Sequence, residues 1–171
     1  MFDYEQRYTI TINADGAIAK VSVYALNEDL YSLNPLKGET HCHSTGSDGL
    51  LSPKNMSLDY RCAGYDFIFM TDHHYYESSL EAQKEVAKLT SSFKVYPGEE
   101  VHNKHMGYFH IAGLGQNDSV NRIVLSNPEQ VDKEVNEIIK KTNIPAECDA
   151  YNVAYRIWVA NKIKEFGGLA I

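Results

Sequence analysis

Alternating apolar and polar residues mark the beginning of the chain as a β-hairpin. From Tyr8 to Ala25 the alternation runs on both sides of an Asp15-Gly16 turn, a dipeptide that favours tight hairpin connections. We therefore expect residues 1–36 to form an N-terminal β-hairpin and connector, with extra strands that cover one end of the domain.

From position 37 onward the pattern changes to short apolar strands separated by helix-like segments. This alternation is typical of a parallel α/β sheet or barrel. The run Phe67-Ile68-Phe69-Met70 is apolar without alternation, as expected of a strand buried on both faces. The predicted strands lie near Gly38 to His43, Asp66 to Met70, Phe93 to Pro97, Tyr108 to Ala112, and Gly168 to the end.

Helix signals fall between these strands. Ser52-Pro53 is typical of a capped helix start with proline in the first turn. Ser78 with Glu81 three residues later fits a capping box. Asn127-Pro128 opens a further helix, and an apolar stripe over residues 150–160 predicts the last one.

Composition places the chain among ordinary globular proteins. A length of 171 residues suits one domain, and 43% hydrophobic with 23% charged residues argues against disorder. No apolar stretch is long enough to span a bilayer, and the opening residues do not have the pattern of a secretion signal. Three cysteines without a CxxC pair argue against a disulfide framework or a cysteine zinc knuckle. We expect a cytoplasmic protein with no membrane partner.

The formal net charge of −7 opposes a broad electrostatic surface for nucleic acid. An anionic substrate would need another source of positive charge, and bound metal ions could supply it locally. Nucleic acid is therefore a less favoured partner than a small phosphorylated substrate or nucleotide.

Histidines are concentrated in the first two thirds of the chain: all seven lie between His41 and His110. Histidine is the commonest metal ligand. His41 and His43 are two apart on a predicted strand, so their imidazoles share a face while Cys42 points to the other. Asp48 follows on a turn rich in serine and glycine that can fold its carboxylate back toward the strand end.

The other polar motifs also follow predicted strands. His73 comes directly after the buried strand, where parallel α/β proteins place catalytic groups, and we expect Asp72 to orient a ligand or cap a turn. We expect the adjacent His74 to be exposed. A glutamate of the pair Glu99-Glu100 could bridge two ions through its two oxygens. His110 lies in an apolar segment, and we expect it to be buried and in need of a partner.

The order of these motifs is similar to that of the PHP (polymerase and histidinol phosphatase) superfamily. The resemblance covers roughly positions 37 to 115. It is carried by His41-Cys42-His43, Ser47-Asp48-Gly49, Gly64-Tyr65-Asp66-Phe67-Ile68, Thr71-Asp72-His73, Gly98-Glu99-Glu100 and His110-Ile111-Ala112-Gly113-Leu114, with residues 167–171 resembling the start of a later family strand.

This resemblance implies a partial distorted (β/α)7 barrel of the PHP type over residues 37–171, with up to three divalent metal ions. Carried over by position, His41 and His43 would bind one ion, Glu100 would bridge it to a second ion bound by His110, and Asp48 with His73 would serve a third. Glu100 is preferred over Glu99 because the family pattern is glycine, any residue, glutamate. Where the family often has histidine, this sequence has Asp48, a harder oxygen ligand that favours manganese or iron over zinc at that position. The expected divalent metal ions are zinc, manganese or iron.

The family normally completes its metal set with a later histidine and an Asp-x-His pair, and this chain has no histidine after His110. We therefore expect the chain to be the front part of a longer protein, lacking the C-terminal ligands. Five predicted core strands cannot close such a barrel. The unpaired strand edges would then favour a homo-oligomer.

The expected activity is hydrolysis of a phosphoester by a metal-bound hydroxide at a multinuclear site. His74, His102 or His105 could protonate the leaving group, and the sequence does not choose among them. Two alternatives stay open. One is a metal-dependent amidohydrolase, whose barrels also begin with a His-x-His strand. The other is a catalytically incomplete metal-binding fragment.

Overall fold

The structure, a computed structural model, describes residues 4–89, 92–102 and 110–171. The chain divides into two units, residues 1–35 and residues 36–171. The first contains strands β1 (Gln6–Ala14) and β2 (Ala17–Ala25) and a short helix, α1 (Glu28–Tyr31).

The predicted hairpin is confirmed. Its strands pair antiparallel from Gln6 opposite Ala25 to Ala14 opposite Ala17. The two turn residues, Asp15 and Gly16, have φ of 51° and 85°. Positive φ at both central residues is the geometry whose twist matches that of paired strands, and Asp-Gly adopts it readily.

The second unit begins with a parallel sheet of β3 (Gly38–Cys42), β4 (Phe67–Met70) and β5 (Lys94–Tyr96), in the order β3-β4-β5. Helices α2 (Pro53–Cys62) and α3 (Glu77–Val86) connect these strands. The crossover helices bury one face of the sheet, because parallel neighbours need long connections that pack back onto it. The core formed there consists of Cys42, Ile68, Met70, Ala82, Val86, Phe93 and Val95.

Of three local expectations for this sheet, one is met, one is wrong and one is met in part. Ser52 does cap α2, since its hydroxyl accepts from the amide of Asn55. The capping box at Ser78 is wrong, because α3 begins one residue earlier, at Glu77. Strand β4 buries Ile68 and Met70 completely and leaves its two phenylalanines partly exposed, so one face of the strand is not fully covered.

A second sheet contains β6 (Gly98–His102), β7 (His110–Leu114) and β8 (Leu169–Ala170). The expectation of parallel strands is wrong here, because β7 pairs antiparallel with both β6 and β8. Strand β6 was not foreseen as a separate element: only Pro97 separates it from β5. The predicted strand at Tyr108 begins outside the described residues, and its described part starts at His110.

Helices α4 (Val120–Ser126) and α6 (Ala150–Glu165) pack on this second sheet, and α5 (Pro128–Lys141) packs on both helices. The helices predicted at Asn127-Pro128 and over residues 150–160 are therefore confirmed, and α4 was not predicted. Apolar side chains of these elements form the second core: Val101, Val120, Val131, Val135, Ala154, Tyr155, Trp158, Val159 and Ile163.

The architecture is thus a mixed α/β fold. Within the described ranges the strands form three separate sheets of two, three and three strands, and no sheet closes on itself as a barrel. Across the same ranges, every helix is too short or too polar to cross a membrane.

Candidate metal centre

The carboxyl end of β3 presents the first pair of imidazoles. Alternation along the strand sends His41 and His43 to one face, where their Nε2 atoms lie 2.9 Å apart. Cys42 points the other way into the core, and its thiol donates to the carbonyl of Phe69. Burial raises the pKa of Cys42 to about 12, so the thiol stays protonated and outside the polar site.

Asp48 is carried to the same place by a loop that Asp72 organises. The buried carboxylate of Asp72 accepts from the amide of Ser44 at 2.7 Å, from its hydroxyl at 2.6 Å and from the Ser47 hydroxyl at 2.6 Å. The expected role of Asp72 as a turn cap is confirmed by these contacts. Asp48 Oδ1 lies 2.8 Å from Nδ1 of His43, and this hydrogen bond holds the pKa of Asp48 below its usual range.

Glu100 lies at the centre of the polar side chains and is fully buried. Its Oε2 is 3.0 Å from Nε2 of His41, from Nε2 of His43 and from Nδ1 of His73. Its Oε1 contacts Nδ1 of His110 and accepts no well-formed hydrogen bond within the described residues. One carboxylate is therefore surrounded by four imidazoles.

A backbone bridge between the two sheets explains this convergence. His73, just after β4, pairs in parallel with Glu100 on β6. The amide of Glu100 donates to the carbonyl of Asp72 at 3.1 Å. Gly98 allows the close approach, because a Cβ there would lie 2.9 Å from the carbonyl oxygen of Met70.

Glu99 points away from this cluster, as strand alternation requires. It is also fully buried, and it accepts from the hydroxyl of Ser119, from the side-chain amides of Gln116 and Asn121, and from the amide of Val120 at the start of α4. Burial raises the pKa of Glu99, while these hydrogen bonds act in the opposite direction. Glu99 therefore holds α4 against β6.

The hairpin of β6 and β7 brings further imidazoles to the site. His102 and His110 are directly paired across the two strands, and their ring centroids are 3.9 Å apart. The expectation of a buried His110 is wrong: it is the first residue of β7, and its side chain is exposed. Burial, followed by the neighbouring imidazoles of His110, His74 and His73, lowers the pKa of His102 to about 4.

His74 and His105 are the remaining candidate proton donors. His74 is exposed, as expected, and has a positive φ of 56°. Its ring lies 4.5 Å from that of His102. His105 lies outside the described residues.

Three groups of donors in the described residues could each hold a metal ion, with the donor atoms of each group within 4.8 Å of one another. All six residues proposed from the sequence occur in these groups, and His102 is the addition that sequence analysis did not assign as a ligand. The groups are His41, His43 and Glu100; His43, Asp48 and His73; and His73, Glu100, His102 and His110.

The donor spacing fits divalent ions. Adjacent ligands about 2.1 Å from an octahedral ion lie about 3.0 Å apart, and the contacts of Glu100 Oε2 to three imidazole nitrogens are each 3.0 Å. A fully buried carboxylate also needs a compensating positive charge, and within the described residues the ion-pair partners of Glu100 are all histidines. The residues present therefore fit a bound cation.

Known proteins are similar to parts of this chain, although no protein-family model matches it. The chain is 31% identical over 84 residues, 44% of its length, to the DNA polymerase/3'-5' exonuclease PolX of Bacillus subtilis. Its fold is similar to that of a Bifidobacterium adolescentis protein described as a metal-dependent phosphoesterase, with a TM-score of 0.50 and 15% identity over 80% of this chain. The chain resembles PHP phosphoesterases.

A two-domain protein of Bacteroides vulgatus containing a predicted PHP-like metal-dependent phosphoesterase has a TM-score of 0.49 and 20% identity over 79% of this chain. The present chain spans 15% of the length of the curated Bacillus relative. It spans 34% of the Bacteroides protein and 66% of the Bifidobacterium protein. The similarity to solved structures therefore concerns the fold of part of each protein.

Proposed function

We propose that this chain carries part of the active site of a metal-dependent phosphoesterase. The observation that carries the proposal is the convergence of imidazoles and carboxylates from β3, the loop after it, β4, β6 and β7 on the buried Glu100. Its two oxygens face different groups of histidines. A carboxylate shared in this way can bridge two ions through its two oxygens.

Contacts among the six residues support the ligand assignment that the PHP resemblance implies. His41 and His43 face Oε2 of Glu100, and His110 faces its Oε1. Asp48 lies between His43 and His73. We assign these six residues as ligands to as many as three divalent ions, with zinc, manganese and iron as the expected metals because the donors mix nitrogen with carboxylate oxygen.

Divalent ions held by these six residues would lower the pKa of a bound water, so that a hydroxide nucleophile is available near neutral pH, and would offset negative charge on the phosphoryl oxygens. The chain's own residues hold the cluster in place. Asp72 fixes the loop that carries Asp48, and the bridge between His73 and Glu100 fixes the two sheets. The exposed side of the site, where His41, Asp48 and His110 lie, is open to a substrate.

The proposed substrates are small phosphate monoesters and nucleotides. The Bacillus relative is a DNA polymerase/3'-5' exonuclease, which adds nucleic acid as a second class of substrate. The net charge of −7 favours the smaller substrates, because a long polyanion is repelled by an acidic surface.

The test is to measure metal content by mass spectrometry together with phosphate release from a panel of phosphate esters, with manganese or zinc added. A Glu100→Gln variant provides the negative control for metal binding and phosphate release. Phosphate release that requires both metal and Glu100 supports the proposal. Hydrolysis of a cyclic amide in the same panel, without phosphate release, would instead support an amidohydrolase. Bound metal with no turnover would identify a catalytically incomplete metal-binding chain, and absence of metal would refute the proposal.

A further inference from the structure

One donor in the polar cluster is not among the six ligands that the PHP resemblance implies. Its group contains His73, Glu100, His102 and His110. We propose that His102 is a direct ligand to the ion that Glu100 shares with His110. This inference rests on the metal cluster of the proposed function and adds a ligand to it.

The strand geometry aims His102 at this ion. His102 follows Glu100 by two positions on β6, so both side chains emerge from the same face. Between them, Val101 points into the core and is fully buried. Across the hairpin, His102 lies directly opposite His110. One antiparallel hairpin therefore presents a carboxylate and two imidazoles to a single point.

The division of donors among the three groups leaves one ion short of a protein ligand, and His102 can supply it. His43 and His73 each occur in two groups, and each faces the Asp48 carboxylate through one ring nitrogen. If His73 serves the ion at Asp48, the ion between Glu100 and His110 has only those two residues from the implied set. Two protein ligands are few for a tightly held ion, since catalytic zinc sites keep three. His102 supplies the third.

The position of His102 is independent of any ion. The hydroxyl of Tyr155, a buried residue of α6, donates to the carbonyl of His102 at 3.1 Å. Around the imidazole of His102 lie those of His73, His74 and His110, with ring centroids between 3.9 and 4.5 Å away. Each neutral imidazole has one N–H donor and one lone-pair nitrogen, whereas the ionised carboxylate of Glu100 among them has acceptors only. A cation bound there would offset that excess of acceptors.

A competing role for His102 is to orient His73. Nε2 of His102 lies 2.6 Å from Nδ1 of His73, which suits a hydrogen bond between the two rings. Loss of an orienting residue also weakens metal binding, typically tenfold to a hundredfold. Affinity alone therefore cannot separate the two roles, and the test must detect the bond between residue 102 and the ion.

Cobalt(II) bound to His102→Cys in the full 171-residue chain provides that test. A thiolate ligand gives a near-ultraviolet charge-transfer band to cobalt, whereas an unbound thiol does not. We expect the band in His102→Cys and its absence in the native chain, whose three cysteines control for adventitious binding. His74→Cys is the matched control at an exposed neighbouring position, and it should lack the band.

A second variant covers the case in which His102→Cys does not fold, as judged by circular dichroism. At saturating cobalt, the strongly hyperfine-shifted imidazole proton signals in the NMR spectrum of His102→Gln should come from one histidine fewer than in the native chain, because only an imidazole bound to the ion gives such signals. An unchanged set of shifted signals in His102→Gln, or a His102→Cys variant that binds cobalt without the band, would overturn this inference alone. No cobalt bound by the native chain would refute the proposed function as well.

Discussion

The two adjacent glutamates of β6 allow a sharp test of the metal centre. Glu100 faces the imidazoles and Glu99 faces the start of α4, although both are fully buried. We predict that Glu100→Gln abolishes most of the thermal stabilisation that manganese or zinc gives the native chain, and that Glu99→Gln preserves it.

The expected magnitude follows from linkage. An ion present at a hundred times its dissociation constant stabilises a folded protein by about 2.7 kcal/mol. Glu100 belongs to two of the three donor groups, so its loss should remove about 5 kcal/mol of metal-linked stability. For a chain of this size each kcal/mol corresponds to roughly 2–4 °C in Tm. The metal-induced rise in Tm should therefore fall by about 10–20 °C.

Without metal, the folding stabilities of the two variants should rank in the opposite order, with Glu99→Gln the less stable. Glu100→Gln conserves volume and removes a buried charge, so we expect a change below about 1 kcal/mol. Glu99→Gln places an amide N–H₂ among four hydrogen-bond donors, which should cost about 1–3 kcal/mol. Differential scanning calorimetry with and without metal measures both effects. The reasoning is refuted if Glu100→Gln retains the native metal-induced shift in Tm or if Glu99→Gln loses it.

Three further predictions concern residues that are not assigned as metal ligands. Asp72→Asn should weaken metal affinity about tenfold to a hundredfold by freeing the loop that carries Asp48, as measured by calorimetric titration; unchanged affinity would contradict the role given to Asp72. Gly49→Ala should destabilise the same loop, because a Cβ would lie 2.2 Å from the carbonyl oxygen of His43, and urea unfolding should show the loss; native stability would show that the backbone can move aside. Burial raises the pKa of Tyr76 to about 12 from an ordinary 10.0, so the stability due to its neutral form is present below pH 10 and is lost as pH rises toward 12. Tyr76→Phe should flatten that alkaline loss in a pH series of Tm values, and an unchanged slope would refute it.

Short-range sequence patterns were sufficient to predict several features of the structure. The Asp15-Gly16 hairpin, the Ser52 cap and the shared face of His41 and His43 each depend on residues within a few positions of one another. Backbone conformational preference and side-chain alternation act at that range, so the pattern of residues was sufficient. The six assigned ligands were named from sequence because their motifs also occur in order in the PHP resemblance.

Tertiary structure decided how these pieces meet. The bridge between His73 and Glu100 and the antiparallel pairing of His102 with His110 join residues from separate strands. Such pairing depends on which strands become neighbours, and a short run of apolar residues predicts a strand without its direction or its partner. His102 therefore looked like an isolated histidine in the sequence. Only the hairpin shows that it shares a face with Glu100 and lies against His110.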